Sequence, residues 1–342
     1  MDLTLILAGI IVFGVGAYVI LDGFDLGVGI LFPFIPDDAM RDTAINSIAP
    51  VWDGNETWLI LGGAVLFAAF PVVYAVALSA FYIPIMLLLF ALIFRGVAFE
   101  FRFKAKRSKH WWSRAFTGGS TLAAFAQGLL LGGVLEGVTT GPGPAGSGIA
   151  LEFAGGSFDW LTPFSVITGL GVVGGYALLG ATWLNMKTED GLRDWSRAAA
   201  RRALFVSLFA LAVVSLYTPL KFDYIAERWF ADMHWLSLSP VPLATVVVAF
   251  SLYRELKAGS HYPPFFYAIA LFMLGYLGIG ISLWPHILPP ALTVWNSASP
   301  PQSQKFVLIA LAITLPMVLI YTVYAYWVFR GKVEAGAGYT SH

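Results

Sequence analysis

Pro50-Val51-Trp52-Asp53-Gly54-Asn55-Glu56-Thr57-Trp58 places two acids, an amide and two indoles where the apolar run 51–70 begins. That run is long enough to cross a bilayer core, which takes roughly 20 helical residues. A carboxylate at the centre of such a segment costs on the order of 2.5–3.5 kcal/mol, so it persists only with a partner or a task. The stretch predicts a membrane helix that carries polar chemistry at its start.

Composition agrees. The chain has 342 residues, 58% hydrophobic and 12% charged, where a soluble domain carries roughly 25% charged residues. Zero formal net charge argues against nucleic acid as a partner and leaves membrane lipid as the surroundings. With no cysteine, disulfides, iron–sulfur clusters, thiolate haems and thiol zinc sites are excluded. The apolar segment from Leu3 to about Phe32 has no basic flank and is too long for a cleaved signal peptide. It predicts a first spanning helix.

Further apolar runs extend this to nine helices, near 3–32, 51–70, 74–99, 116–138, 161–185, 203–219, 241–256, 263–284 and 306–329. The expected fold is an all-α integral membrane protein, with about nine transmembrane helices in packed bundles forming a single polytopic domain over 1–342. The seventh is the weakest, being short and ending in Tyr253-Arg254-Glu255. Phe70-Pro71-Val72-Val73-Tyr74 predicts a tight helical hairpin between the second and third. Nine crossings put Arg41, the basic cluster from Arg102 to Arg114, the arginines 193–202, Arg254, Lys257, Arg330 and Lys332 on one side. By the excess of positive charge on cytoplasmic loops, the N-terminus is outside and the C-terminus cytoplasmic. Small residues such as Gly23/Gly27 and Gly128/Gly132 predict close helix packing.

Ionisable residues gather on the inner side. Asp22 and Asp25, in Leu21-Asp22-Gly23-Phe24-Asp25-Leu26-Gly27, are three residues apart and share a helix face. Asp53 and Glu56 repeat that spacing at the inner start of the second helix, and Arg95 and Glu100 close the inner end of the third. Two readings stay open. Arg95 neutralises one aspartate while the other acids reach headgroup water, or the group is a hydrated cluster able to carry protons. Glu136 is the chief acid of the outer half.

Histidine gives the sharpest exclusion. His110, His234, His261 and His342 fall in loops or the tail, and His286 falls at the outer end of the eighth helix. A haem in a helical bundle needs axial His or Met, and Met86 and Met273 read as packing side chains. The residues predict a chain that holds no conventional haem. No phosphate-binding loop, nucleophile triad or metal-spaced carboxylate set appears.

Three runs carry a family resemblance: Val19–Gly29 around the paired aspartates, Asn46–Leu59 around the opening motif, and Phe94-Arg95-Gly96-Val97-Ala98-Phe99-Glu100-Phe101-Arg102. Together they resemble subunit II of the cytochrome bd-type quinol oxidases. The short length and Phe101-Arg102-Phe103-Lys104 resemble the cyanide-insensitive branch. The resemblance implies a terminal oxidase of the bacterial inner membrane, electrogenic without pumping. A partner, subunit I, would hold two b-type haems and one d-type or third b-type haem, oxidise quinol at the outer side and reduce oxygen to water. It further implies proton entry by Asp53, with Glu56, Asp22, Asp25 and Glu100 as further proton-pathway candidates, and an oxygen passage marked by Trp58. Asp25 and Arg95 match positions near a structural quinone, and a small single-helix accessory subunit is a possible companion. No catalytic residue is expected in this chain itself. The competing expectation is a proton-coupled secondary transporter using the intramembrane aspartates, which the odd span count and the lack of a visible repeat weigh against.

Overall fold

Caps and prolines decide where the helices of this chain begin. Asp2 accepts from the Thr4 and Leu5 amides and starts α1 (Leu3–Leu31). Thr162 and Ser165 form a reciprocal capping box, with Pro163 at the first helical position, and start α7 (Pro163–Lys187). The computed structural model describes residues 2–143 and 151–333. Between α1 and α7 lie α2 (Asp38–Asn46), α3 (Trp52–Ala69), α4 (Pro71–Ala80), α5 (Tyr82–Lys104) and α6 (Lys109–Glu136). After α7 come α8 (Asp190–Lys221), α9 (Asp223–Phe230), α10 (His234–Leu238), α11 (Pro240–Ala258), α12 (Pro263–Leu283) and α13 (Pro301–Val328). Two small antiparallel hairpins, β1 (Thr140–Pro142) with β2 (Leu151–Phe153) and β3 (His286–Leu288) with β4 (Leu292–Thr293), sit in connections.

Among the described residues, seven helices are long and apolar enough to cross a membrane alone. Two bent pairs bring the count to as many as nine: α3 with α4, bent by 118°, and α9–α10 with α11, bent by 59°. The expected helix class and approximate count are therefore present, with three local differences. The 70–74 link is not a tight hairpin: Phe70 leaves helical geometry, Pro71 starts α4 in a new direction, and α5 begins only at Tyr82. The helices expected at 116 and 203 begin at Lys109 and Asp190, so His110 and the arginines 193–202 are helical. Charged first turns lower hydropathy without preventing helix formation. Residues 220–240 fold as α9 and α10, short helices that carry Trp229 and Trp235.

The first helix forms the axis of the bundle, in contact with α3, α6, α7, α12 and α13. Its crossing with α7 is backbone on backbone. A Cβ added at Gly27 would lie 1.9 Å from the Tyr176 carbonyl oxygen, and one at Gly180 would lie 2.3 Å from the Gly27 carbonyl carbon. The α6–α7 crossing is also close at Gly128, where a Cβ would lie 2.5 Å from Gly169 Cα and the Thr168 hydroxyl donates to the Gly128 carbonyl at 2.8 Å. The glycine pairs thus serve packing, the means by which membrane helices associate when hydrophobic burial cannot distinguish protein from lipid.

Candidate functional site

The Leu21–Gly27 run turns its two carboxylates to one side of α1. Phe24, between them, stacks on Trp183 of α7 with ring centroids 4.1 Å apart, and so anchors the rotation of the helix. Asp22 and Asp25 are both fully buried and face α3 and α5. Arg95 of α5 reaches Asp22. Its Nη1 donates to Asp22 Oδ1 at 2.7 Å, and its Nη2 donates to Glu56 Oε1 of α3 at 2.5 Å. One guanidinium therefore joins three helices, a task suited to its rigid fork of donors. Trp52 lies beside it, with its ring centroid 5.5 Å from the guanidinium carbon.

Asp25 does not bond to the arginine. Its Oδ2 accepts from Asn55 Nδ2 at 2.6 Å, and Asn55 Oδ1 accepts from the Tyr326 hydroxyl of α13 at 2.9 Å. One oxygen of each aspartate, Asp22 Oδ2 and Asp25 Oδ1, is buried without a protein hydrogen-bond partner. The cluster thus sets three carboxylates against one cation. Exposure falls inward: Asp53 is exposed, the Glu56 side chain is 24% exposed, and Asp22 is closed off. This arrangement can hold a proton or an ordered water among its oxygens, because burial without compensation is costly for a carboxylate.

Both open readings of the inner acids have a counterpart here. Arg95 pairs with Asp22, and Glu56 joins the same pair. Glu100 is exposed and apart from the cluster, while Asp53 stands at the exposed first turn of α3. Trp58 is buried, edge-on to Phe13 at 5.5 Å, and its indole N–H has no partner. Glu136 pairs with Lys221 at 2.6 Å and accepts from the Thr162 hydroxyl.

Sequence reasoning missed a second polar chain behind the first. The Tyr176 hydroxyl donates to Gln127 Oε1 at 2.5 Å, and Gln127 Nε2 donates to the Tyr18 oxygen at 3.0 Å. Tyr18 stands one turn before Asp22 and interacts with its carboxylate. The polar contacts thus run from α7 through α6 and α1 to the Arg95 cluster. The available signals were Gln127, a lone amide inside an apolar span, and the four-residue spacing of Tyr18 and Asp22.

Among the described residues, His110, His234, His261 and His286 all lie at helix ends or in connections, and His342 lies outside the described residues. Met86 and Met273 sit on α5 and α12. Among the described residues, no group of three or more His, Asp or Glu is arranged to hold a metal ion.

Comparison with known proteins gives one consistent answer. The family described as cytochrome bd terminal oxidase subunit II matches residues 3–329. The chain is 32% identical to the cytochrome bd ubiquinol oxidase subunit 2 of Bacillus subtilis, covering 97% of this chain and 96% of that one. It is 29% identical to the cytochrome bd-I ubiquinol oxidase subunit 2 of Escherichia coli K12, covering 96% and 93%. In fold it resembles a chain of the bd oxidase from Geobacillus thermodenitrificans, with TM-score 0.77 and 15% identity, over 96% of this chain and 99% of that chain. The chain belongs to the cytochrome bd terminal oxidase subunit II family and is a multi-pass subunit of a terminal oxidase in the bacterial inner membrane.

Proposed function

We propose that this subunit supplies subunit I of a quinol:oxygen oxidoreductase with protons through the Asp53–Glu56 end of α3. The observation that carries the proposal is the exposure gradient from Asp53 through the half-open Glu56 to the sealed Arg95–Asp22 pair. Reduction of oxygen to water consumes protons, and an acid chain opening at one face delivers them from one side. With the N-terminus outside, that face is cytoplasmic, and the basic residues at the same ends of the helices support the orientation. Quinol oxidation on the outer side would then conserve energy through separation of scalar protons, without pumping.

The haems of the complex, two b-type with one d-type or third b-type, are assigned to subunit I, where they supply electron transfer and oxygen chemistry. This chain contributes position, proton relay and apolar packing. Trp58, beside the exposed Phe13, is the candidate for an oxygen passage. Asp25 and Arg95 are the candidates to contact a structural quinone, and Glu100 is an exposed acid at the same face. A single-helix accessory subunit would find room on the exposed apolar helices. The transporter alternative is not favoured, since relatives along nearly the whole chain are oxidase subunits.

The test is Asp53→Asn in the purified two-subunit complex, read as quinol-driven oxygen uptake. Turnover is expected to fall roughly tenfold, equivalent to about 1.4 kcal/mol of barrier, with haem content and assembly unchanged. Full turnover in an intact complex would remove Asp53 from the route. A reduced-minus-oxidised spectrum of the same sample settles the identity of the third haem.

A further inference from the structure

A groove of about 370 Å³ opens between the α9–α10 segment and the last turns of α12, at the end of the bundle opposite the carboxylate cluster. The wall formed by α12 is apolar, made by Leu277, Gly280 and Ile281. Arg228, His234 and Ser237 make its mouth polar. Arg228 is fixed in place, because its Nη2 donates to the Trp284 carbonyl oxygen. The rest of its guanidinium remains available, and among the described residues no carboxylate pairs with it.

This end of the molecule has few cations. Lys221 is already committed to Glu136 at 2.6 Å. Glu227 and Asp232, the acids nearest in sequence to Arg228, do not line the groove. Trp229 donates to the Ser282 hydroxyl at 2.8 Å, and Trp284 packs edge-on against Trp295 at 5.5 Å. Tryptophans collect at the headgroup level of a bilayer, so the mouth of the groove lies at the depth of lipid phosphates. The turn into α10 passes through Asp232 and Met233, two consecutive non-glycine residues with φ of 48° and 60°. Such a backbone persists only where its surroundings hold it, and here it turns the chain from α9 into α10, whose His234, Ser237 and Leu238 line the groove.

We propose that this groove binds one anionic phospholipid, with the phosphate on Arg228 beside His234 and one acyl chain along Leu277 and Ile281. Charge complementarity at the mouth and an apolar wall running into the membrane match the two halves of that ligand. A guanidinium suits phosphate oxygens because its donors lie in one plane.

The experiment uses the purified oxidase complex, delipidated and then titrated with phosphatidylglycerol, phosphatidylcholine or inorganic phosphate. Bound lipids are counted by native mass spectrometry. The wild-type complex is expected to retain one phosphatidylglycerol that both Arg228→Gln and Gly280→Leu lose, with oxygen uptake unchanged in both variants. Gly280 lines the groove and a Cβ there meets nothing within 4 Å, so Gly280→Leu places its side chain at the groove from an open backbone position. It decides the matter alone should Arg228→Gln fail to assemble. Equal retention of phosphatidylglycerol by Gly280→Leu and wild type overturns the proposal. So does equally firm retention of phosphatidylcholine, or displacement of the lipid by an equal concentration of inorganic phosphate.

Discussion

Arg95 is the residue on which the inner cluster depends. It is 2% exposed and holds carboxylates from two other helices. Removing one partner of a buried ion pair costs about 3–5 kcal/mol, because the remaining charge is left without compensation. Arg95→Leu is therefore expected to destabilise the complex by about that amount, read as a drop in the thermal aggregation midpoint of the detergent-solubilised enzyme. Arg95→Lys should recover only part, since a lysine ammonium cannot span two carboxylates with a fixed fork. Adding Asp22→Asn to Arg95→Leu should recover part as well. A midpoint unchanged by Arg95→Leu would mean that Asp22 and Glu56 find compensation elsewhere. The pairing was legible in the sequence, because a lone arginine among apolar residues needs an acid at the same depth. The role of Asn55 was not. Its contact with Tyr326 joins residues 271 positions apart, and no local periodicity reports such a partner.

At the scale of elements, the α1–α7 crossing is the tightest contact in the bundle. Gly27→Ala would push a methyl group to 1.9 Å from a backbone oxygen, so the helices must separate. Overpacking of a filled core typically costs about 1–3 kcal/mol, and a backbone clash belongs at or above the top of that range. Loss of assembled complex is the expected readout. Gly278→Ala, where a Cβ meets nothing within 4 Å, is the matched control and should assemble normally.

The short helix α2 is tied to α5 and α6 by Asp42, which pairs with Arg102 at 2.7 Å and Lys109 at 2.8 Å. Burial pushes the Asp42 carboxyl up, but the hydrogen bonds from Lys109 and Arg102 outweigh it and hold the group below the usual carboxylate value. A carboxyl lowered on folding stabilises the protein fully above its unfolded value and loses that contribution as pH falls through the folded value. The tie is thus intact at neutral pH and should fade only in acid. Asp42→Asn should flatten the acid limb of a plot of unfolding midpoint against pH. An acid limb unchanged in that variant would assign the dependence to another group. Little of this element was legible, because nine residues of mixed polarity between two spans carry no hydropathy signal. The Phe70-Pro71 break was visible but misjudged: proline at the first helical position opens a new helix as readily as it closes a link.

Across the whole molecule, α1, α6 and α7 form the buried wall, while α8, α11, α12 and α13 expose long apolar faces. The glycines that meet a neighbouring helix backbone lie on α1, α6 and α7, whereas Gly278 and Gly280 of α12 are open, so the presence of glycine in the sequence announced close packing without distinguishing these cases. Which exposed faces meet lipid and which meet subunit I is not written in composition, because both surroundings select the same residues. The Arg95 bridge also has a consequence in time. Asp22 is synthesised 73 residues before Arg95, an interval of roughly 4–15 s at 5–20 residues per second. Until Arg95 follows, Asp22 has no ion-pair partner, and a carboxylate at the bilayer centre costs on the order of 2.5–3.5 kcal/mol. Insertion of α5 is thus the committing step of biogenesis. A chain truncated after Leu92 should be extracted or degraded, whereas one ending after Lys104 should resist alkaline extraction from the membrane. Equal resistance of the two truncations would mean that α1 is secured without its arginine. The buried cluster is thereby also a checkpoint, closing only once the nascent chain has delivered its fifth helix.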